Sequence, residues 1–450
     1  MNLKNLHNVY FIGIGGIGMS ALARYFLFME KRVLGYDKTE VPLTRELEAM
    51  GIDIHYEDSV VVVHNKQLDP TNTLVVYTPA VPKDHAELNY FKDHGFSVMK
   101  RSEVLGLITE NSFCFAVAGT HGKTTTSCIL AHILKESGIP IMAFLGGISE
   151  DFNSNFLLEG TDYSVVEADE YDRSYLRLSP NIACITSMDA DHLDIYGSRD
   201  ALVESFVDFT KRLKPGGKLF VRNGLPLEGI TYGIEDDSDY CIQRITIKNG
   251  TYIFDIKTPE ITLKDLRFHK PGRHNLLNGL VAFAMAMQLG IAPERLAKAL
   301  ASFKGVQRRF SYQIQTKSFV FIDDYAHHPT EINAVHDAIR ELYPGRQATA
   351  VFQPHLFSRT KDFAEDFAKS LSCFDRIILL DIYPAREKPI PGITSEWLLQ
   401  KISNPKKELV SKQTLSTAIK THQPEILVTM GAGDIGLEIA QLKKELEYEI

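Results

Sequence analysis

The sequence predicts an α/β fold with parallel sheets, divided among three domains. At 450 residues the chain is longer than one ordinary hydrophobic core, and its length suggests about three. Strand-like apolar runs alternate with helix-like segments, which is typical of parallel sheets covered by helices. Polar residues directly follow many strands, and ligands of such sheets bind beyond the carboxyl ends of the strands. We therefore expect domains at 1–108, 109–309 and 310–450, each with a binding edge.

The composition excludes several classes of protein. Apolar residues make up 44% of the chain and charged residues 24%, which is typical of a soluble globular protein. A net charge of −8 argues against a general nucleic-acid binder, and no run of 18 apolar residues predicts a membrane span. The first strand, 9–12, begins too early to leave room for a signal peptide. Five scattered cysteines, without zinc or disulfide spacing, indicate a reducing compartment. We expect a cytoplasmic protein.

The first domain opens with a glycine-rich turn between a strand and a helix. The turn, GIGGIGMS at 13–20, contains the pattern G-x-G-x-x-G, and the second strand ends at Asp37. This arrangement is Rossmann-like: it suits a pyrophosphate on the helix N-terminus and a ribose or base near the acid. NAD is the usual occupant of such a turn. The alternative is that the glycines serve only strand–helix packing.

The central domain contains a second phosphate-binding turn, GTHGKTTT at 119–126. Glycines let backbone N–H groups close around phosphate oxygens, and the helix that follows adds positive dipole character. Lys123 can neutralise a terminal phosphate, and the Thr124 hydroxyl can bind Mg²⁺. Val117 stands where the usual G-x-x-x-x-G-K-[ST] spacing requires glycine, so this loop is shorter. We expect a P-loop ATPase-like mononucleotide-binding domain.

Acidic residues follow two further strands of the central domain. Four acids lie within 167–172, and Asp191 and His192 follow the strand 182–186. Carboxylates beside a phosphate loop are suitable ligands for Mg²⁺. A single histidine is more often a surface or packed residue, but among acids at a strand end a metal or phosphate role is favoured. Farther on, Asn275 and Asn278 share one face of a helix, where Asn275 could also serve as its cap.

In the last domain, four strands deliver polar residues at their carboxyl ends, which predicts a Rossmann-like C-terminal domain. The pair His327–His328 lacks matching metal ligands and is better suited to handling charge in a ligand cleft. Of the two glycine turns, only the second carries Lys-Thr and nearby acids. A triphosphate site between two other α/β domains suits activation of an acid by phosphorylation, followed by attack of an amine.

The ordered motifs resemble the Mur ligase family along essentially the whole chain. They are GIGGIGMS at 13–20, GTHGKTTT at 119–126, EADE at 167–170, DADHLD at 189–194, GRHNLLN at 272–278, DDYAHHPTEI at 323–332, QPHLFSRT at 353–360, YPAREKPIPG at 383–392 and MGAGD at 430–434. The resemblance implies that the first turn binds a UDP-sugar, not NAD. It also implies ATP-dependent joining of L-alanine to UDP-N-acetylmuramate through an acyl phosphate, in peptidoglycan synthesis.

The resemblance assigns site residues by motif. The implied catalytic residues are Lys123, Glu167, His192 and Arg359, and the implied Mg²⁺ ligands are Thr124, Glu167 and His192, with Glu170 as a neighbour. The implied ATP-binding residues are Gly119, Thr120, His121, Gly122, Lys123, Thr124, Thr125, His274, Asn275, Asn278, Arg309 and Asp324. The predicted UDP-sugar residues are Gly13, Gly15, Gly16, Gly18, Met19, Ser20, Asp37, Thr78, Pro79 and Ala80. The implied amino-acid residues are Tyr325, His327, Arg359 and Arg386.

Three positions depart from the family pattern, and alternative functions remain. Leu356 stands where a second arginine is common, and Ser187 and Asp189 stand where Asn and Glu are common. The alternatives are a recycling ligase that adds a tripeptide to UDP-N-acetylmuramate, an inactive nucleotide-binding regulator and an NAD-dependent oxidoreductase. The last would leave the Lys-Thr loop unexplained. We expect a monomer or a weak homodimer.

Overall fold

The computed structural model describes residues 3–189, 196–385 and 387–447, apart from the side chain of residue 4. Two compact units make up the chain, and each is described by itself. The first comprises Met1–Gln243, Ile256–Leu263 and Asn278–Phe303, and the second comprises Arg244–Asp255, Lys264–Leu277 and Lys304–Ile450. Among the described residues, no helix has both the length and the apolar character needed to cross a bilayer.

The first unit begins with a five-stranded parallel sheet in the order β3-β2-β1-β4-β5. Its strands are β1 Asn8–Ile12, β2 Arg32–Tyr36, β3 Asp53–His55, β4 Thr73–Tyr77 and β5 Ser97–Lys100. Its helices are α1 Ile17–Phe28, α2 Pro42–Ala49, α3 Val60–Asn65, α4 Ala86–Asp93 and α5 Arg101–Thr109. The strand order reverses at β1, which places the first glycine turn at the topological switch point where such sheets bind ligands.

The second sheet has ten strands in the order β15-β14-β13-β12-β11-β10-β6-β9-β7-β8, where β14 is Thr251–Lys257 and β15 is Thr262–Phe268. The strands from β12 to β8 in this order belong to the first unit, and β13 belongs to it as far as Gln243. Its other strands are β6 Phe113–Ala118, β7 Ile141–Ser149, β8 Ser154–Leu158, β9 Tyr163–Glu167, β10 Ile182–Ile185, β11 Lys218–Arg222, β12 Ile230–Ile234 and β13 Tyr240–Lys248. Its helices are α6 Lys123–Glu136, α7 Arg199–Thr210, α8 Arg273–Met287 and α9 Pro293–Ser302, of which α8 belongs to this unit only from residue 278. Parallel strands β9 and β10 flank β6, so three loops that the sequence singles out leave the sheet side by side.

The second unit contains a six-stranded sheet in the order β16-β17-β21-β18-β19-β20. Its strands are β16 Ser311–Gln315, β17 Val320–Asp324, β18 Ala348–Phe352, β19 Arg376–Leu379, β20 Lys407–Leu409 and β21 Ile426–Met430, with β14 Thr251–Lys257 and β15 Thr262–Phe268 crossing the unit boundary in sequence. Its helices are α10 Pro329–Leu342, α11 Phe357–Asp362, α12 Ala364–Leu371, α13 Ser395–Lys401, α14 Lys412–His422 and α15 Ile435–Glu447. Only β16 pairs antiparallel, as an edge strand on β17.

The burial of the strands explains this architecture. All five residues of β17, β18 and β21 are buried, as parallel strands covered on both faces require. Helix α6, which leaves the phosphate loop, is buried from Thr124 to Leu134 and packs within the first unit. The predicted α/β class with parallel sheets is confirmed. Strand β5 ends at Lys100, and Arg101 begins α5.

Candidate active site

The phosphate loop after β6 adopts a conformation that two glycines make possible. Gly119 has φ +129° and Gly122 has φ +83°, both in the left-handed region that disfavours residues with a side chain. A Cβ at Gly119 would collide with the Thr186 hydroxyl, and one at Gly122 would lie 2.6 Å from Oδ1 of Asn278. The loop is therefore packed tightly against β10 on one side and against α8 on the other.

The segment after β10 holds the phosphate loop by hydrogen bonds. The His121 N–H donates to Oγ of Ser187 at 2.8 Å, and the Thr120 N–H donates to the Ser187 carbonyl at 3.2 Å. The Thr186 hydroxyl donates to the His121 carbonyl at 2.5 Å, and the Asp189 N–H donates to Oγ1 of Thr120 at 3.1 Å. In the sequence, Ser187 and Asp189 are notable only as departures from the family pattern. The structure shows that both brace the loop.

Lys123 lies in a buried cluster of charge. Its ammonium donates to both carboxylate oxygens of Glu170, at 2.9 and 2.7 Å, and to the Gly119 carbonyl at 2.6 Å. The side chain of Glu170 is 1% exposed. Burial alone would lower the pKa of Lys123, but Glu170, Asp169 and Glu167 outweigh it and raise the pKa above its ordinary value. Lys123 therefore stays positively charged, and Glu170 is its negative partner.

Two predicted metal ligands lie on segments that belong to the neighbouring strands β6 and β9. Thr124 is buried in the first turn of α6, and Glu167 ends β9, paired with Val117 of β6. A Cβ at Gly146 on β7 would collide with the Glu167 carboxylate, so glycine there leaves room for it. The third predicted ligand, His192, lies outside the described residues. Within the described ranges, no group of three or more His, Cys, Asp or Glu is placed to hold a metal. Hydroxyl and carboxylate oxygens nevertheless suit Mg²⁺.

The first glycine turn is tied to the acid that ends β2. The Gly15 N–H donates to Oδ2 of Asp37 at 2.7 Å, and a Cβ at Gly15 would lie 2.9 Å from the same oxygen. Gly13 has φ +86°, and Gly16 caps the N-terminus of α1. Asp37 therefore helps to shape the turn. Ser20 is fully buried, and its hydroxyl donates to the Ile17 carbonyl and accepts from Asn155, which fixes the start of α1.

A cavity of about 310 Å³ joins this turn to the acidic loop after β9. Gly16, Gly18 and Met19 line one side, and Thr78 and Ala80 line the wall after β4. The remaining polar lining consists of Arg101, Glu167 and Asp169. Pro79 lies between two lining residues in sequence. Within the first unit, the predicted nucleotide-sugar turn and the predicted metal carboxylate therefore border one cavity.

In the second unit, the segment before α8 makes a tight turn. Gly272 has φ +91°, and a Cβ there would lie 2.5 Å from Cε1 of His274. Asn275 is buried and donates through Nδ2 to the Pro271 carbonyl at 2.6 Å. Because α8 begins at Arg273, Asn275 lies inside the first turn and is not the cap residue. Its side chain instead holds the loop that enters the helix.

Asp324 and two arginines form the start of the C-terminal sheet's binding edge. The Asp324 carboxylate accepts the N–H groups of Phe310 and Ala326, each at 2.7 Å. Burial raises the pKa of Asp324 to about 6, although Arg309 opposes the shift. The guanidinium carbons of Arg308 and Arg309 lie 5.2 and 5.1 Å from the Tyr325 ring centroid. Arg308, which sequence analysis overlooked, also donates to Asp323 at 3.0 Å.

The predicted amino-acid residues gather around aromatic and imidazole rings. The rings of Tyr325 and His327 are 5.3 Å apart, and those of His327 and His355 are 6.2 Å apart. Arg359 is buried, with Nη1 at 3.4 Å from Nδ1 of His355. Arg386 lies outside the described residues. In the sequence, His355 is only one member of the motif at 353–360, yet in the structure it contacts both Arg359 and His327.

Glu331 and Leu356 complete this cluster. Glu331 accepts the His327 N–H at 2.9 Å and lies 3.8 Å from Nη1 of Arg309. Leu356 is buried, with φ +68°, a strained value for a residue with a side chain. Such strain often marks functional sites. The cluster brings cationic side chains and a carboxylate together, which suits a zwitterionic ligand.

Comparison with known proteins places this geometry in a family. Three family models match the chain: the catalytic domain of the Mur ligase family at 8–112, the Mur ligase middle domain at 117–286 and the glutamate ligase domain of Mur ligases at 308–433. The UDP-N-acetylmuramate–L-alanine ligase of Flavobacterium psychrophilum is 62% identical over 447 residues, covering 99% of this chain and all of that protein.

Solved structures agree with the family models. The UDP-N-acetylmuramate–alanine ligase of Thermotoga maritima matches with a TM-score of 0.83 and 27% identity, over 98% of this chain and all of that chain. A murein peptide ligase of Psychrobacter arcticus shares the fold, with a TM-score of 0.71 and 23% identity over 98% of each chain. The phosphate loop, the acidic loop and the three successive α/β domains thus have a common explanation: the chain belongs to the Mur ligase family of ATP-dependent ligases.

Proposed function

We propose that this enzyme joins L-alanine to the carboxylate of UDP-N-acetylmuramate and converts ATP to ADP and phosphate, as a step of peptidoglycan synthesis. The observation that carries the proposal is the cavity of about 310 Å³ shared by the first glycine turn and Glu167. The carboxylate of a sugar acid held on that turn would extend through this cavity toward Glu167, beside the phosphate loop. The name and 62% identity of the Flavobacterium relative support the same substrates.

The reaction we propose has two steps. The substrate carboxylate attacks the γ-phosphorus of ATP, the bond to the bridging oxygen breaks, and ADP leaves behind an acyl phosphate. The amine of L-alanine, once it has lost its proton, attacks the acyl carbon. The tetrahedral intermediate expels phosphate and releases the second proton of the nitrogen to water, which leaves an amide. Little covalent chemistry falls to the protein, so positioning and charge neutralisation account for most of the catalysis.

The residues of the chain have assigned parts in this scheme. The loop from Gly119 to Thr125 cradles the phosphates, and Lys123 moves from Glu170 toward the γ-phosphate. Thr124, Glu167 and His192 would hold Mg²⁺, which when bound would stabilise charge on the phosphate oxygens. Arg359 would pair with the alanine carboxylate, beside Tyr325, His327 and Arg386.

The remaining predicted contacts stay part of the proposal. His274, Asn275, Asn278, Arg309 and Asp324 would contact the nucleotide of ATP. Gly13, Gly15, Gly16, Gly18, Met19, Ser20, Asp37, Thr78, Pro79 and Ala80 would form the UDP-sugar site. We retain domain boundaries at 1–108, 109–309 and 310–450, and a monomer or weak homodimer.

We also place the reaction in the cytoplasm. None of the five cysteines, all of which lie in the described part of the chain, forms a disulfide, and four of them are buried. Burial raises the pKa of Cys114 to about 11, which keeps that thiol protonated and unreactive near neutral pH. Cysteines that form no disulfide suit a reducing compartment.

The test is phosphate release with defined substrates. We expect release to require ATP, UDP-N-acetylmuramate and L-alanine together, with slower release for glycine and L-serine. UDP-N-acetylglucosamine, which lacks the carboxylate, is the matched control and should support no release. Faster turnover with a tripeptide than with L-alanine would instead establish the recycling reaction. Absence of turnover with every acceptor would favour the inactive nucleotide-binding alternative.

A further inference from the structure

Arg101 occupies a position between the first glycine turn and the acidic loop. It begins α5, immediately after β5, and its side chain is 21% exposed. Its Nη1 lies 2.7 Å from the point where a Cβ of Gly18 would be, so the guanidinium rests against the first turn of α1. Its Nη2 lies 3.4 Å from Oδ2 of Asp169. Arg101 therefore touches both walls of the cavity described above.

The charge inside the cavity is unbalanced. Among the described residues that line it, Arg101 is the only cation, whereas Glu167 and Asp169 are both acids. A nucleotide-sugar acid would bring a diphosphate and a carboxylate into this space. The N-terminus of α1 offers only about half a positive charge to such a ligand. A ligand with a diphosphate and a carboxylate therefore needs more positive charge than the helix supplies. Among the described lining residues, the Arg101 guanidinium is the group that can provide it.

We infer that Arg101 is an anion-binding residue of the nucleotide-sugar site, which exchanges Asp169 for an anionic group of the substrate. The inference rests on the proposed function and deepens it. Arginine suits the part, because its planar fork can donate two parallel hydrogen bonds to a phosphate or a carboxylate. The 3.4 Å separation from Asp169 is long for a charge-assisted hydrogen bond, so this partner is readily exchanged.

A neighbouring ion pair holds the acidic loop against the end of β5, so Arg101 is not the only cation that supports this loop. Lys100 donates to Oδ2 of Asp172 at 2.8 Å and so ties the acidic loop to the end of β5. In that loop, Asp172 and Arg173 have φ +52° and +53°, a consecutive left-handed pair that needs support. Lys100 is not among the lining residues of the cavity. It supplies a matched control, since it is also a cation tied to the acidic loop.

Calorimetric titration of the full-length protein tests the inference. UDP-N-acetylmuramate, UDP-N-acetylglucosamine and UDP are titrated into wild type, Arg101→Gln, Arg101→Lys and Lys100→Gln. We expect Arg101→Gln to weaken binding about 10- to 100-fold, the range of a hydrogen bond to a charged group. Arg101→Lys should recover part of the loss, and Lys100→Gln should bind as wild type does.

The three ligands distinguish the source of the anion. Equal losses for all of them identify the diphosphate, and a loss confined to UDP-N-acetylmuramate identifies the carboxylate. Unchanged affinity of Arg101→Gln for all three overturns the inference, as does an equal loss of affinity for a non-hydrolysable ATP analogue, which would indicate structural damage. Wild-type protein that binds none of the three refutes the proposed function itself, before any variant is compared.

Discussion

The buried ion pair between Lys123 and Glu170 gives a prediction that a double-mutant cycle can measure. Lys123→Met leaves the Glu170 carboxylate, 1% exposed, without its cation. Glu170→Gln leaves the lysine with a neutral amide, although Asp169 and Glu167 still act on it. The double variant Lys123→Met with Glu170→Gln buries neither charge. The losses of unfolding free energy in the two single variants should therefore sum to more than the loss in the double variant.

The magnitude follows from the burial of the pair. Removing one partner of a buried pair costs about 3–5 kcal/mol, because the remaining charge stays desolvated. We expect about 4 kcal/mol for Lys123→Met and a smaller loss, about 3 kcal/mol, for Glu170→Gln, since two other carboxylates still face the lysine. If the double variant loses about 4 kcal/mol, the coupling energy is about 3 kcal/mol, at the upper end for residues in contact.

Native-state hydrogen exchange of helix α6, Lys123–Glu136, measures the local free energy of opening. The exposed pair Lys211–Asp208, at 2.7 Å on helix α7, is the control, and its cycle should give no measurable coupling. A coupling energy below about 0.5 kcal/mol for Lys123 and Glu170 would mean additivity. That result would refute the conclusion that Lys123 and Glu170 form a stabilising ion pair in the absence of ATP.

Three further outcomes are expected. Lys123→Met should abolish phosphate release but leave the calorimetric affinity for UDP-N-acetylmuramate unchanged; loss of both would contradict separate sites. Ser187→Ala removes hydrogen bonds to Thr120 and His121, each worth about 1 kcal/mol, and should raise the KM for ATP roughly 30-fold in steady-state assays. Burial raises the pKa of Asp324 to about 6, above its unfolded value, so its stabilising contribution is complete below about pH 3.9 and is lost as the pH rises through 6. Asp324→Asn should therefore remove part of the fall in unfolding temperature between pH 4 and pH 7, and identical pH profiles by scanning calorimetry would contradict this.

The main elements were predictable because their signals are local. An apolar run that ends in a glycine turn and continues as a helix fixes β1 with α1 and β6 with α6, whatever surrounds them. The acids after β9 were predicted to face the phosphate loop, and β9 does pair with β6. Adjacent parallel strands bring their carboxyl ends to the same edge, so residue order along the chain was sufficient.

The residues that sequence analysis missed act through contacts between distant segments. Arg101 belongs to no motif, and no residue type at that point separates it from the strand before it. His355 and Glu331 become notable only because β17 and β18 bring their loops near each other across β21. Asp37 was assigned to a ribose from its place after β2, and its bond to Gly15 depends on the turn's three-dimensional path. Hydrophobic periodicity reflects local secondary structure and does not reveal such pairs.

Each glycine turn needs a cation to balance the phosphates of a bound nucleotide, and the two turns obtain it from different parts of the chain. The turn after β6 carries its own cation, since Lys123 follows Gly122 directly, whereas Ile17 follows Gly16 in the turn after β1. The cation for the first turn comes instead from the end of β5, as Arg101. Both cations face acids of one loop, Lys123 on Glu170 and Arg101 on Asp169. If each nucleotide draws its cation away, filling both sites leaves two carboxylates of that loop uncompensated beside Glu167.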